Sequence, residues 1–345
     1  MQIRNPRASC LMRLISLIII GVICFYLGAY KNRISGFVEE YFPEVKEAVK
    51  KRVAKIQEGS QPQMMTITPS PEKRIDPQRD DPAGQKQHSP RDIRIASFYI
   101  SSFSDNNRGQ ELIYTAQIIK YFDLIAIQGI ETEAALKKIV DILKGLGLTY
   151  AYTFAASQKN GPNSLHAFLY RSDEISVIQG GTIYRAKSSP FIWDPFYATF
   201  QARHFDFTLV NIHVSWGSDE EQRRVEIAAL PELYNFIQKG SPLEQDIILL
   251  GHFNLPPEDP VWDNLKRFPT MTCLINPPDT TNIAGTRNYD NIWFQQKYCR
   301  EYTGRSGVTK FDENMFKNND QKAGSSVSDY RPVWADFRVS QPDDD

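Results

Sequence analysis

Five short segments carry residues able to act on a phosphate ester or to hold a cation. They are Tyr99 in IRIASFYI, His213 in VNIHV, His252 and Asn254 in ILLGHFN, Asp290 in NYDNIWF, and Asp329 with Tyr330 in VSDYRPVWADF. Imidazoles move protons near neutral pH, carboxylates hold hard cations or orient water, and an amide both donates and accepts. Two histidines, two aspartates and an asparagine therefore suit hydrolysis or phosphate binding. Each alone also has an ordinary structural use: His213 as a satisfied interior histidine, Asp290 in an Asx turn, Asn254 as a turn residue ahead of Pro256 and Pro257. What groups them is position, because each ends or follows a β-rich run, where sites are usually built.

The positioning elements are short β-rich runs: IRIASFYI, FDLIAIQGI, HAFLYR, FDFTLVNIHV, DIILLGHFN, NYDNIWF and RPVWADFRV. Helical stretches are expected at 110–121, 132–146 and 218–238. In the last, Val225, Ala229, Leu233 and Phe236 form an apolar face, and Glu220, Glu221, Arg223, Arg224 and Glu226 a charged one. Strands apolar on both faces with helices between them predict two packed sheets sandwiched by helices, in one domain over 92–340.

Several chemistries are unsupported. There is no Gly-x-Ser-x-Gly elbow, no Walker loop, no dinucleotide fingerprint and no Cys-x-x-Cys pair. Cys273 and Cys299 are open to pairing or to remaining free thiols. The 345-residue chain has a net charge of −1, which conceals an asymmetry. Residues 1–91 carry 15 Lys+Arg and 9 Asp+Glu, whereas 92–345 carry 25 and 32. An acidic domain has no electrostatic footprint for gripping a polyanion.

The order of the segments resembles the endonuclease/exonuclease/phosphatase superfamily, in its bacterial deoxyribonuclease I-like branch. IRIASFYI resembles the opening strand, FDLIAIQGI the metal-ligand strand and VNIHV the first catalytic-histidine strand. IILLGHFN, NYDNIWF and VSDYRPVWADF resemble the three remaining motif strands. The resemblance covers nearly all of 92–340 and implies a four-layered α/β/β/α sandwich. It also implies hydrolysis of phosphodiester or phosphomonoester bonds with Mg²⁺ or a similar hard cation. His213, Asn254, Asp290 and Asp329 retain the family residues.

Six positions depart from the pattern. The resemblance implies an asparagine at Tyr99, a metal-ligating glutamate at Gly129, and a glutamate supporting the first histidine near Ser164. It implies a phosphate-facing arginine near Trp193, an aspartate at His252 and a second histidine at Tyr330. Mg²⁺ demands octahedral oxygen donors, so Asp329 alone is expected to hold it weakly. An imidazole at 252 suits softer metals, and an imidazolium repels cations. Losing one positioned acid or base costs roughly 10²–10⁴-fold in rate, and the groups act as a unit.

Two readings stand beside simple loss of catalysis. His213, His252, Asp290 and Asp329 could form a rearranged Zn²⁺ or Mn²⁺ site. Alternatively, Tyr99, Trp193 and Tyr330 line the cleft with aromatics, either to bind a ligand by stacking or merely to fill space. Ahead of the domain, the sequence predicts a basic tail (1–13), a transmembrane anchor (14–30) and an amphipathic juxtamembrane helix (31–58). A Pro-rich disordered linker (59–91) follows, and an acidic tail (341–345) closes the chain. The 14–30 run is uncharged and as a helix would be roughly 25 Å long. A short N-terminal tail usually stays in the cytoplasm, which places the domain outside it.

The expected protein is thus a single-pass membrane protein with a severely impaired phosphodiesterase site. Its expected role is binding or scaffolding with a protein partner as yet unidentified. The rival is a divalent-metal-dependent nuclease or phosphatase acting on nucleic acid or another phosphoester.

Overall fold

The chain divides into Met1–Arg74 and Ile75–Asp345. A computed structural model describes residues 92–341, apart from 105, 107–108, 157–163, 187–188, 217–218 and 242–243. The expected basic tail, anchor, juxtamembrane helix and linker, and the acidic tail beyond Gln341, lie outside the described residues. Among the described residues no helix is long and apolar enough to cross a membrane.

The described elements run β1 (Asp92–Phe103), α1 (Gly109–Ile119), β2 (Leu124–Ile130), α2 (Glu133–Gly145), β3 (Tyr150–Ala156), β4 (Leu165–Arg171), β5 (Ser176–Ile183), β6 (Phe196–Ala202) and β7 (Phe205–His213). They continue with α3 (Glu220–Ala228), α4 (Leu230–Gly240), β8 (Ile247–His252), α5 (Asp263–Lys266), β9 (Met271–Cys273), β10 (Asp290–Gln295), β11 (Tyr302–Val308), α6 (Phe311–Phe316), α7 (Asp320–Ser326) and β12 (Val333–Arg338). They build two six-stranded mixed sheets, ordered β11-β12-β1-β2-β4-β3 and β5-β6-β7-β8-β10-β9. The β1–β2 and β7–β8 pairs are parallel.

Strands apolar on both faces are what a doubly covered sheet requires. In β2, Leu124 and Ala126 face the layer between the sheets, while Ile125 and Ile127 face α1 and α2. In β8, Ile248 and Leu250 face the same inter-sheet layer, while Ile247 and Leu249 meet Leu230, Leu233 and Tyr234 of α4. Three apolar layers result, and each fully buried large side chain contributes about 1.5–3 kcal/mol. The expected helix–sheet–sheet–helix layering is present. Cys273 and Cys299 are free thiols, and Cys299 is buried.

The expected helix over 218–238 is two helices. Pro231 occupies the first turn of α4, where its missing N–H is harmless; inside one continuous helix it would break a hydrogen bond. The break resets the helical phase, so only half of the expected apolar face holds: Leu233 is buried and Ala229 packs against the same cluster. Val225 and Phe236 are exposed, whereas Arg223 and Glu226 are buried. Glu226 tolerates burial because it accepts from the Ser215 hydroxyl at 2.5 Å and from Gln222 Nε2 at 3.4 Å. Burial still pushes its carboxyl above the usual carboxylate range.

Candidate functional site

Strand register assembles the site. His213 pairs with His252 across β7–β8, and His252 pairs with Asp290 across β8–β10, so three neighbouring strands present them side by side. Gly251 permits this, since a Cβ there would run into the backbone of Ile212 in β7. The turn after β8 gives Asn254 a positive φ of 54°, a conformation asparagine tolerates better than most residues. Tyr99 enters from β1 of the other sheet, and Trp193 from the segment before β6.

His252 is the hub, and it is almost fully buried. Its Nδ1 lies 2.9 Å from Asp290 Oδ1 and its Nε2 lies 3.0 Å from Asn254 Oδ1. Asn254 Nδ2 donates to Val214 O at 2.8 Å, which fixes the amide so that its oxygen faces the ring. With the amide so placed, the Nε2–H of the ring donates to Asn254 Oδ1, and Nδ1 faces the carboxylate. Asp290 Oδ1, His252 and Asn254 therefore form a chain of hydrogen bonds that ends on the Val214 carbonyl, while Asp290 Oδ2 is buried without a partner among the described residues.

Aromatic rings close over that chain. Tyr99 stacks on His252 with centroids 4.3 Å apart and planes at 15°. Trp193 stacks on His213 at 4.3 Å and 4°. Tyr330 meets His252 edge-on at 4.4 Å. Burial, followed by the neighbouring His252 and His166, holds His213 well below the ordinary imidazole range. A ring that reluctant to take a proton, with one face under an indole, is a weak general base. Burial pushes the Tyr330 hydroxyl up to about 12 and also raises that of Tyr99.

Gly129 explains the seat of Tyr99. It has a φ of 83°, and a Cβ built there would collide with Ile100 O and crowd the Tyr99 ring. The β1–β2 register shifts between Tyr99 and Phe103 at this point. The backbone is thus shaped around a residue without a side chain. Asp329 is exposed, with Oδ1 against Gly324 of α7. Ser164 is buried just before β4; the ring that approaches the cluster from this strand is His166, 6.3 Å from His213.

These donors do not fit Mg²⁺, which prefers several oxygens in octahedral array. Position 129 offers no ligand, and the Asn254 carbonyl and one Asp290 oxygen are engaged by His252. The alternative Zn²⁺ or Mn²⁺ site through His213, His252, Asp290 and Asp329 is not assembled. Among the described residues no group of three or more His, Cys, Asp and Glu could hold a metal. The physical reason is that both His252 nitrogens are already committed and the exposed Asp329 carboxylate lies against Gly324 of α7.

The motif pattern does not single out several further residues of the site. His166 is fully buried, and burial lowers it to about 3. Gln128 donates to Ser97 Oγ and to Asn211 Oδ1, joining the two sheets beneath the cluster. Asn211 in turn donates to the carbonyls of Ile127 and Ala167. Polar residues inside otherwise apolar strand runs were the available signal. Trp216, Arg287 and Tyr289 flank motif strands and carried none.

Solved structures share this architecture. The human Nocturnin catalytic domain with bound sulfate superposes with a TM-score of 0.51 at 15% identity, covering 71% of this chain and 94% of that one. ANGEL2, described as a 2′,3′-cyclic phosphatase, gives a TM-score of 0.52 at 14% identity, covering 72% and 96%. The fold is that of endonuclease/exonuclease/phosphatase proteins. A curated relative from Xenopus laevis, endonuclease/exonuclease/phosphatase family domain-containing protein 1, is 24% identical over 279 residues. That match covers 72% of this chain and 50% of the relative, so the chain spans about half the length of the curated relatives it matches. No family model matches the chain. The strands β1, β2, β7, β8, β10 and β12, singled out from sequence, carry or border the residues of this cluster.

Proposed function

We propose that this chain is an endonuclease/exonuclease/phosphatase-fold protein without hydrolytic turnover, acting as a binding or scaffolding module held at a membrane by residues 14–30. The observation that carries the reading is His252. It replaces the expected acid and ties up Asp290 and Asn254, two of the retained residues, in a buried hydrogen-bonded chain capped by Tyr99. The collision awaiting any side chain at 129 supports it independently. The aromatic rings pack on the histidines and on one another, which favours space-filling over an open stacking pocket.

The test is an assay of the purified chain on DNA, phospholipid head groups and a chromogenic phosphodiester, with Mg²⁺, Mn²⁺ and Zn²⁺ in turn. The expected outcome is turnover no faster than buffer. Turnover that His213→Ala abolishes would overturn the proposal. The anchor is tested separately: full-length protein should stay in the membrane pellet after a salt wash, and recovery in the soluble fraction would exclude it.

A further inference from the structure

At the mouth of the closed cleft, Arg287 is exposed yet held in place. Its guanidinium lies 5.1 Å from the Trp216 ring centroid and 5.4 Å from that of Tyr289. It also interacts electrostatically with the Tyr330 hydroxyl. No carboxylate of the described residues pairs with it. Trp216, at 55% exposure, is the most exposed large hydrophobic among the described residues, and Arg223 approaches its ring at 5.3 Å. Leaving an indole and an unpaired guanidinium together in water has no benefit to the core.

We infer that the Arg287–Trp216–Tyr289 surface is a docking site for a protein segment that presents a carboxylate beside an apolar or aromatic side chain. This rests on the reading of the chain as a binding module and names the partner's chemistry. Arginine's planar fork pairs with a carboxylate through two parallel hydrogen bonds. The surrounding rings have already removed much of its rotamer freedom, which lowers the cost of binding. Trp, Tyr and Arg are also the residue types that carry most interface energy. Charge argues against a nucleic-acid strand as the occupant. The second guanidinium, Arg223, is turned toward Glu220 at 3.6 Å, Asp329 is exposed on the segment bearing Tyr330, and the domain has an excess of acids. One anionic group is matched there; a chain of phosphates is not.

The experiment titrates the full-length chain with the probe N-acetyl-Phe-Glu-Phe-amide, followed by calorimetry and tryptophan fluorescence. Its glutamine counterpart and oligothymidylate serve as comparisons. Saturable binding of the glutamate peptide is expected, with roughly tenfold weaker binding for the glutamine peptide and for Arg287→Gln. Arg287→Lys should fall between, since it keeps the charge and loses the fork, and Trp216→Ala should weaken both peptides. Unchanged thermal unfolding of these variants verifies folding. No binding at millimolar peptide, equal binding of the two peptides, or full binding by Arg287→Gln would overturn the inference. Oligothymidylate binding that Arg287→Gln removes would instead assign the surface to nucleic acid. Phosphodiester turnover with intact, Arg287-dependent peptide binding would sink only the non-hydrolytic reading.

Discussion

At position 252 one side chain engages two others: its Nδ1 lies against Asp290 Oδ1 and its Nε2 against Asn254 Oδ1. His252→Asp, which introduces the acid that the sequence resemblance implies there, should therefore harm the protein. It would set a second carboxylate against the buried Asp290 and free Asn254 Oδ1 from its donor. Breaking a buried pair of this kind costs about 3–5 kcal/mol, so urea denaturation should show a loss of that order. Calorimetry should show no gain of Mg²⁺ binding by the variant, because position 129 still supplies no ligand. Millimolar-range Mg²⁺ binding by His252→Asp alone would contradict this. Gly129→Ala tests the backbone directly. With φ at 83° and Ile100 O in the way, it should lose about 1–3 kcal/mol in thermal unfolding; an unchanged midpoint would mean that the strand simply relaxes.

At the scale of elements, the α3–α4 break decides which residues face the core. The N-cap of α3 is Asp219, whose carboxylate accepts from Glu221 N at 3.0 Å and Gln222 N at 3.4 Å. Asp219→Ala should cost about 1 kcal/mol, read from the urea midpoint. Because α3 carries Arg223 and Glu226 inward beside Trp216 and Ser215, the same variant should perturb Trp216 fluorescence. A stability loss without that change would separate the cap from the surface. The helical signal over 218–238 was strong, yet periodicity alone did not expose the phase reset at Pro231. A buried glutamate reads from sequence as a solvated one until its partners from the loops after β7 and before β6 are in place.

Over the whole molecule, two neutral imidazoles in the interior couple folding to pH. Burial lowers His166 to about 3 from an ordinary 6.5 and holds His213 well below the same value. Below pH 6.5 the unfolded chain takes up protons that the folded chain refuses. Stability is therefore complete above that value and is lost as pH falls toward the folded pKa values. The loss approaches about 1.4 kcal/mol per pH unit for each histidine. Urea titrations at pH 7.5 and 5 should show it, and His166→Phe should flatten the dependence. Equal stability at the two values in the unaltered chain would mean that these rings are protonated in the fold.

Much of the fold is legible in the sequence alone. Apolar runs on both strand faces dictated covered sheets, because only burial on each side accommodates them, and the motif order located β1, β2, β7, β8, β10 and β12. The weaker strands β3, β5, β6, β9 and β11 went unread. They lie at or beside sheet edges: β5 is largely exposed, which weakens its apolar pattern, and β9 is three residues long, whereas β6 is mostly buried. The identity of the altered residues, Gly129, His252 and Tyr330, was also plain from sequence. Their meaning was not, since hydrogen bonds between strands depend on register and on atoms far apart in the chain. Only the tertiary structure decided that His252 binds Asp290 and Asn254, that Gly129 is held by a colliding carbonyl, and that Arg287 rests on Trp216. Residue types limit which chemistry is available; the packing of distant strands settles which of those groups are free to perform it.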